Sequence, residues 1–297
     1  MSASELGATS VTVLESLNQH RLLLTGQVHE LHMPQASRRW AQEQLALLGE
    51  MGLAASTPLR KRRLGWHLTE RGADAVAAIP SRAERRRKVI APEQAAGPLQ
   101  AHTIAVNDVG LAFVRAAREC GDECGPFDWL HEVAHSLGPP PGRRTPEQLI
   151  ADAVLTYQLA EGDGSTSIVY RFIEVDRATR SAVDLARRIG RYARLYRRTV
   201  PVEESSVGES ASLWSRLYPV YPTVLVVLAG RPRDRLEDRR RTVLALCGQD
   251  PDLAETPEVE VSVCLLDDLA ERGPFAPICR TLAAPGKPVN WLGEEVR

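Results

Sequence analysis

Lysine is nearly missing from this chain: of 37 basic residues, only Lys61, Lys88 and Lys287 are lysines. Chemistry that needs an amine able to exchange a proton therefore has few candidates, while guanidinium groups, charged at any physiological pH, are plentiful. A surplus of either charge is also lacking. The net charge is −1, so no global field draws the protein to nucleic acid, and a DNA-binding surface must come from local clustering. Long apolar runs are absent as well. The longest aliphatic stretch is Val224 to Ala229, far below the roughly 20 residues that span a bilayer, and residues 1–25 carry no signal pattern, which predicts a cytoplasmic protein with no membrane partner. The five cysteines, at 120, 124, 247, 264 and 279, are odd in number and scattered, unlike a disulfide framework. No internal repeat of solenoid length is visible.

What remains is a globular composition, with 43% apolar and 25% charged residues over 297 positions, enough for two domains with separate cores. Charge is unevenly placed: residues 1–100 hold 13 Lys or Arg against 9 Asp or Glu. Residues 9–20, with Ser10 as a cap, residues 22–31, and a segment after Ser37 with Ala41, Leu45, Leu48 and Met51 on one stripe predict three helices. A short apolar stretch at 53–55, the basic turn Arg60, Lys61, Arg62 and Arg63, and residues 64–68 predict a β-ribbon, followed by a helix over 73–79. Three helices and a ribbon are the layout of a winged helix-turn-helix, placed in residues 1–80. Gln35, Arg38, Arg39 and Gln42 fall on the polar face at the start of the third helix, and Arg and Gln are the side chains that read guanine and adenine edges. The Arg60 to Arg63 tip would hold phosphate or enter the minor groove. One such module makes a small interface, so a homodimer or a second DNA contact is expected. The charge run and small residues of 81–98 read as a basic linker.

From residue 99 to 280 the pattern is α/β: a largely apolar helix over 103–120, strands at 127–133, 149–157 and 167–175, a helix over 178–198, a strand at 223–229, a helix over 235–246 and a strand at 259–265. The order predicts an αβββαβ sandwich on a mixed central sheet; residues 281–297 read as an irregular C-terminal tail. Alternation puts Glu174 and Asp176 on one face of the third strand, and Asp152 lies in the apolar strand that would pair with it. Carboxylates in apolar strands need compensation, either by a divalent cation such as Mg or Mn or by ion pairs with nearby arginines. Along the following helix Arg187, Arg191, Arg194 and Arg198 recur as one cationic stripe, read either as a phosphate track or as a solvated face.

The Asp-then-Glu arrangement in αβββαβ resembles the restriction-endonuclease-like fold. That likeness implies catalytic roles for Asp152, Glu174 and Asp176, joined by Glu132, with Asp152 and Glu174 as metal ligands. Such nucleases carry Lys two residues after the Glu, where this chain has Asp176, and arginine does not replace lysine in proton exchange. Narrower still, Leu68-Thr69-Glu70-Arg71-Gly72, His102 to Asp108, Trp129 with Glu132, and Tyr170 to Arg177 resemble the replication-relaxation family of actinobacterial and other plasmids and mobile elements. The resemblance covers residues 10–230 and implies a DNA-binding protein acting in replication, relaxation or transfer, with replication or transfer proteins as partners. It leaves open whether the nuclease-like domain nicks DNA or only binds it as an initiator or regulator.

His131-Glu132-Val133-Ala134-His135 argues for another class, because H-E-x-x-H on a helix makes a zinc protease site. Pro126 and Pro139 leave little room for a helix, and the α/β reading needs a strand here. As a strand, the segment would point Glu132 away from both histidines. A zinc cluster of those histidines with Cys120 and Cys124 has no familiar spacing.

Overall fold

The computed structural model describes residues 7–59, 62–79, 99–139, 144–201 and 210–295. The tip residues Arg60 and Lys61 and the linker 81–98 lie outside these. The chain forms two compact units, one of residues up to Val114 with Cys124–Leu130, the other of Arg115–Glu123 with His131 onward.

The first unit runs α1 (Ala8–His20), β1 (Leu23–Leu24), α2 (Thr25–His32), α3 (Arg38–Glu50), β2 (Ala54–Leu59), β3 (Arg63–Leu68) and α4 (Glu70–Ala77), followed by the start of α5 (Leu99–Cys120). Leu14, Leu17, Ala41, Leu45 and Leu48 of the predicted stripes are fully buried and are joined by Val13 and Val28, while Met51 of the third stripe is only half-buried. Two local expectations change. Ser10 lies inside α1, where its hydroxyl donates to Gln44 Oε1 at 2.8 Å, and the second helix begins only at Thr25. Leu23 and Leu24 are instead drawn into a third strand against Trp66 and Gly65 of β3, tertiary pairing overriding a helical spacing. The Leu68 to Gly72 motif has a steric basis. Thr69 caps α4 by accepting the Gly72 N–H at 3.0 Å, and a Cβ on Gly72 would stand 1.9 Å from the Leu53 carbonyl oxygen. Buried amides stitch the unit together: Gln27 donates to Asp108 at 2.7 Å, Asn107 to Leu22 O at 2.8 Å and Gln19 to Trp129 O at 2.8 Å. Trp129 packs so closely on α5 that a Cβ at Gly110 would meet its ring at 2.4 Å.

The second unit is built on a six-stranded mixed sheet in the order β11-β10-β9-β6-β5-β4. Its strands are β4 (Trp129–Gly138), β5 (Glu147–Ala160), β6 (Thr166–Asp176), β9 (Thr223–Leu228), β10 (Val261–Leu265) and β11 (Arg280–Thr281), with a separate ribbon of β7 (Thr199–Pro201) and β8 (Ser210–Ser212). β5 and β6 form an antiparallel hairpin. β6, β9 and β10 are parallel, so helices α6 (Ala182–Arg197) and α7 (Arg233–Cys247) serve as the crossovers. Their apolar sides meet Phe172, Val224, Val226, Val261 and Val263 in one core. The continuous apolar run at β9 is thus a central strand, as the sequence predicts. Two short helices follow, α8 (Pro251–Ala254) and α9 (Leu266–Arg272). The terminal segment is irregular yet packed: Val289, Asn290 and Trp291 are buried, and the Arg171 guanidinium lies 4.8 Å over the Trp291 ring. Among the described residues no helix is long and apolar enough to cross a membrane.

Candidate functional site

The acidic residues of the central hairpin come together in part. The ladder of β5 and β6 runs to the pair Ala153 and Ile173, and one step further Asp152 and Glu174 meet across the strands. Asp152 Oδ2 accepts the Val175 amide at 2.8 Å, completing the ladder with a side chain. A single guanidinium then bridges both carboxylates: Arg188 of α6 donates through Nε to Glu174 Oε2 at 2.6 Å and through Nη2 to Asp152 Oδ1 at 3.3 Å. Glu174 Oε1 accepts from the Tyr192 hydroxyl at 2.5 Å. Arg188 and Tyr192, four residues apart on α6, present one face to the pair. Asp176 does not join them. Although it shares a strand face with Glu174, it lies under α7, where Arg239 Nε reaches its Oδ2.

Burial governs the electrostatics. Glu174 is 2% exposed, and desolvation, with the neighbouring Asp152 charge second, pushes its carboxyl up to about 7 against the pull of Arg188 and Tyr192. The Tyr192 hydroxyl is raised well above its ordinary range, first by burial and then by Glu174. All four carboxylate oxygens of Asp152 and Glu174 thus accept from protein donors. A magnesium or manganese ion needs oxygen ligands at roughly 2.0–2.2 Å and several waters around it; a guanidinium between the two carboxylates takes that place. As arranged, the donor set does not fit a divalent ion. Among the described residues no three His, Cys, Asp or Glu side chains gather for a metal.

The H-E-x-x-H segment is strand β4, with His131 and His135 buried and Glu132 exposed on the other side. Four residues of strand separate the histidines by about 13 Å, so the two-ligand helical site of a zinc protease is not formed. His135 instead packs in the core, its Nε2 2.7 Å from the Tyr218 hydroxyl, and burial lowers its pKa. Glu132 takes a positive φ of 50°.

The expected cationic stripe of α6 is met in part by acids of the fold. Arg191 and Arg194 both close on Glu147, at 2.9 and 2.7 Å, and these contacts, Arg194 first, hold the Glu147 carboxyl below its usual range. Arg197, unassigned from sequence, reaches Asp252 and Glu255. Of the expected stripe, Arg187 stays exposed, 3.9 Å from Asp184, while Arg198 lies against Gly138. Sequence reasoning gave Arg188 no fixed place and missed Tyr192 and Arg239. The available signal was the i, i+4 spacing of Arg188 and Tyr192 on the helix that follows Glu174.

On the first unit the opposite holds. Gln35, Arg38, Arg39 and Gln42 are all exposed, but Gln35 lies in the turn before α3, which begins at Arg38; among the described residues Arg39 pairs with the solvent-facing Glu43 at 2.8 Å. Arg62 and Arg63 are exposed at the turn of the β2–β3 ribbon, with Arg62 at φ 55°.

No curated protein and no solved structure matches the chain. A family model described as replication-relaxation matches residues 14–206, more than half of the 297 positions and including both the α3 surface and the bridged acidic pair. The protein belongs to the replication-relaxation family.

Proposed function

We propose that this family member is a DNA-binding protein acting in replication or relaxation of a plasmid or mobile element, and that its first unit is a winged helix whose α3 enters the major groove. The observation that carries the reading is the exposed set Arg38, Arg39 and Gln42 at the start of α3, with Gln35 in the turn before it, together with a ribbon ending in exposed Arg62 and Arg63. Helix order, a β-ribbon after α3 and base-reading side chains at the helix start are what that docking mode needs. Selecting preferred sites from a random duplex library tests it. The Arg38→Ala, Arg39→Ala variant should lose discrimination among sites by about 1–3 kcal/mol per lost base contact; an unchanged preference overturns the assignment of α3.

In chain order, α5, three sheet strands, then α6 and parallel β9 support a restriction-endonuclease-like core, although most of α5 belongs to the first unit. In that core Arg188 sits between the two carboxylates where a nuclease holds its ion, and Asp176 replaces the proton-exchanging lysine. We read the second unit as a binding module without phosphodiesterase chemistry. Supercoiled plasmid incubated with the protein and magnesium or manganese should stay supercoiled. Nicking that disappears in Glu174→Ala would overturn this part and restore the metal-dependent reading.

A further inference from the structure

The arginines of the second unit that face outward without acidic partners lie away from the α6 stripe. Parallel strands β6 and β9 end side by side, with Asp176 opposite Leu228 and the Ala229 amide donating to Asp176 O at 2.8 Å. Ligands of α/β sheets bind where parallel strands end, on the loops that follow. Here those loops are residues 177–181 and 229–232, and they are fastened to each other. A Cβ at Gly230 would lie 3.5 Å from Arg177 O, Arg231 Nη2 donates to Ala178 O at 3.4 Å, and Arg239 Nη2 to Arg180 O at 2.9 Å. Ala178 is held at φ 52°, a left-handed conformation that costs an alanine about 1–2 kcal/mol. The loops are thus preset.

Five arginines sit on these loops and the first turn of α7. Arg233 grips the buried Asp268 through two bonds, at 2.8 and 3.0 Å, and is structural. Arg177, Arg180 and Arg235 make no ion pair with a described residue, and Arg231 meets only the Ala178 carbonyl. Arg180, Arg231 and Arg235 are exposed and Arg177 half-buried. The acids alongside offset them in part: Asp176 is held by Arg239, Asp184 takes the Ser181 hydroxyl at 2.6 Å with Arg187 beyond it, and Asp234, exposed in the first turn of α7, balances one of the four remaining cations. In a chain of net charge −1, this is a local cationic surface. Guanidinium forks match phosphate oxygens, and groups standing on two exposed loops suit a polyanion running past them.

We propose that the ends of β6 and β9 form a second DNA contact, in which Arg177, Arg180, Arg231 and Arg235 hold the phosphate backbone of a duplex without regard to sequence. The proposal rests on the protein being a DNA binder but on no residue of α3. The full chain is titrated with a random-sequence 20-base-pair duplex over a series of KCl concentrations, comparing the native protein with Arg180→Gln, Arg235→Gln and with Arg191→Gln, Arg194→Gln. Each phosphate contact contributes about 0.9 to the slope of log K against log salt. The first variant should reduce that slope by about 2 and weaken binding alike on every sequence, while the second leaves it unchanged. Both Arg180 and Arg235 are exposed without ion pairs, and thermal melts confirm that the variant folds. An unchanged slope in the first variant, an equal fall in both, or no binding of random duplex at low salt overturns the proposal. Repeating the titration on Arg38→Ala, Arg39→Ala separates the two readings: if the winged-helix assignment alone is wrong, site preference survives there and the Arg180, Arg235 effect on slope persists.

Discussion

Helices α3 and α6 both present arginines beside an apolar stripe, yet they use them in opposite ways. On α3, Arg39 pairs with Glu43 on the same helix, and both side chains are mostly exposed, at 83% and 60%. On α6, Arg188, Arg191, Arg194 and Arg197 all reach acids from other elements: Asp152, Glu174, Glu147, Asp252 and Glu255. α6 carries five arginines against two on α3, but their number does not decide their use; what lies opposite each helix does. A carboxylate-bearing strand edge and the cap of α8 face α6, and a guanidinium so faced becomes internal structure. An arginine face signals an outside partner only when the fold supplies no acid to meet it.

The sharpest way to break this comparison is Arg188→Ala. Glu174 is fully buried, and removing the cation from a buried pair leaves an uncompensated charge, a loss of about 3–5 kcal/mol. Urea denaturation at pH 8, where Glu174 is largely ionised, measures it. A loss under about 1 kcal/mol would mean that α6 does not hold the acidic pair. Adding Glu174→Gln to that variant should recover part of the loss.

Next in size is a pH effect unique to the buried site. The Glu174 carboxyl titrates near 7 in the folded protein against 4.5 as its ordinary value, so the folded state binds the proton more tightly than the unfolded chain. The resulting stabilisation is complete below about pH 4.5 and fades as pH rises through about 7, with an upper bound on the order of 3 kcal/mol. Stability of the native protein minus that of Glu174→Gln should therefore fall between pH 4.5 and 7.5. A flat difference would place Glu174 in a wetter setting than its burial indicates.

In the first unit the sensitive points are steric. At Gly110 a methyl group would enter the Trp129 ring at 2.4 Å, so Gly110→Ala should cost about 1–3 kcal/mol through overpacking, partly offset by the helix propensity of alanine. Melting of the intact chain checks it, and a stabilised variant would show that Trp129 can move. The α6 surface gives a smaller effect. Arg191→Ala should cost under about 1 kcal/mol, since its ion pair with Glu147 is partly open to water.

How far the sequence carried can be judged from the same residues. Period-2 alternation and apolar runs located the strands, and they also placed Asp152 beside Glu174, because neighbouring strands of known polarity leave little freedom. Alternation could not show that Asp176, on the same face as Glu174, meets a different helix; that depends on how α7 lies over the end of β6. Nor could it choose between a phosphate track and ion pairs on α6, since Glu147 is 47 residues from Arg194. The H-E-x-x-H motif was resolved by flanking prolines and the need for a strand. Residues 289–291 gave no periodic signal because they are held by scattered contacts, with Val289 bridged to Cys279, the Trp291 amide on Pro274 O and Arg171 donating to Trp291 O at 3.2 Å.

The smallest expected effect on stability comes from α3, and it completes the contrast. Arg38→Ala with Arg39→Ala removes two exposed guanidinium groups and one surface ion pair on the helix, worth a few tenths of a kcal/mol at most, while alanine is the better helix former. Thermal and urea unfolding should therefore be unchanged within about 0.5 kcal/mol. A large loss of stability would mean that these arginines, like those of α6, belong to the fold. Unchanged stability together with lost site selection is the signature of side chains kept for a partner, because selection on the folded state alone gives no reason to expose two cations and two glutamines at one helix start and the turn before it.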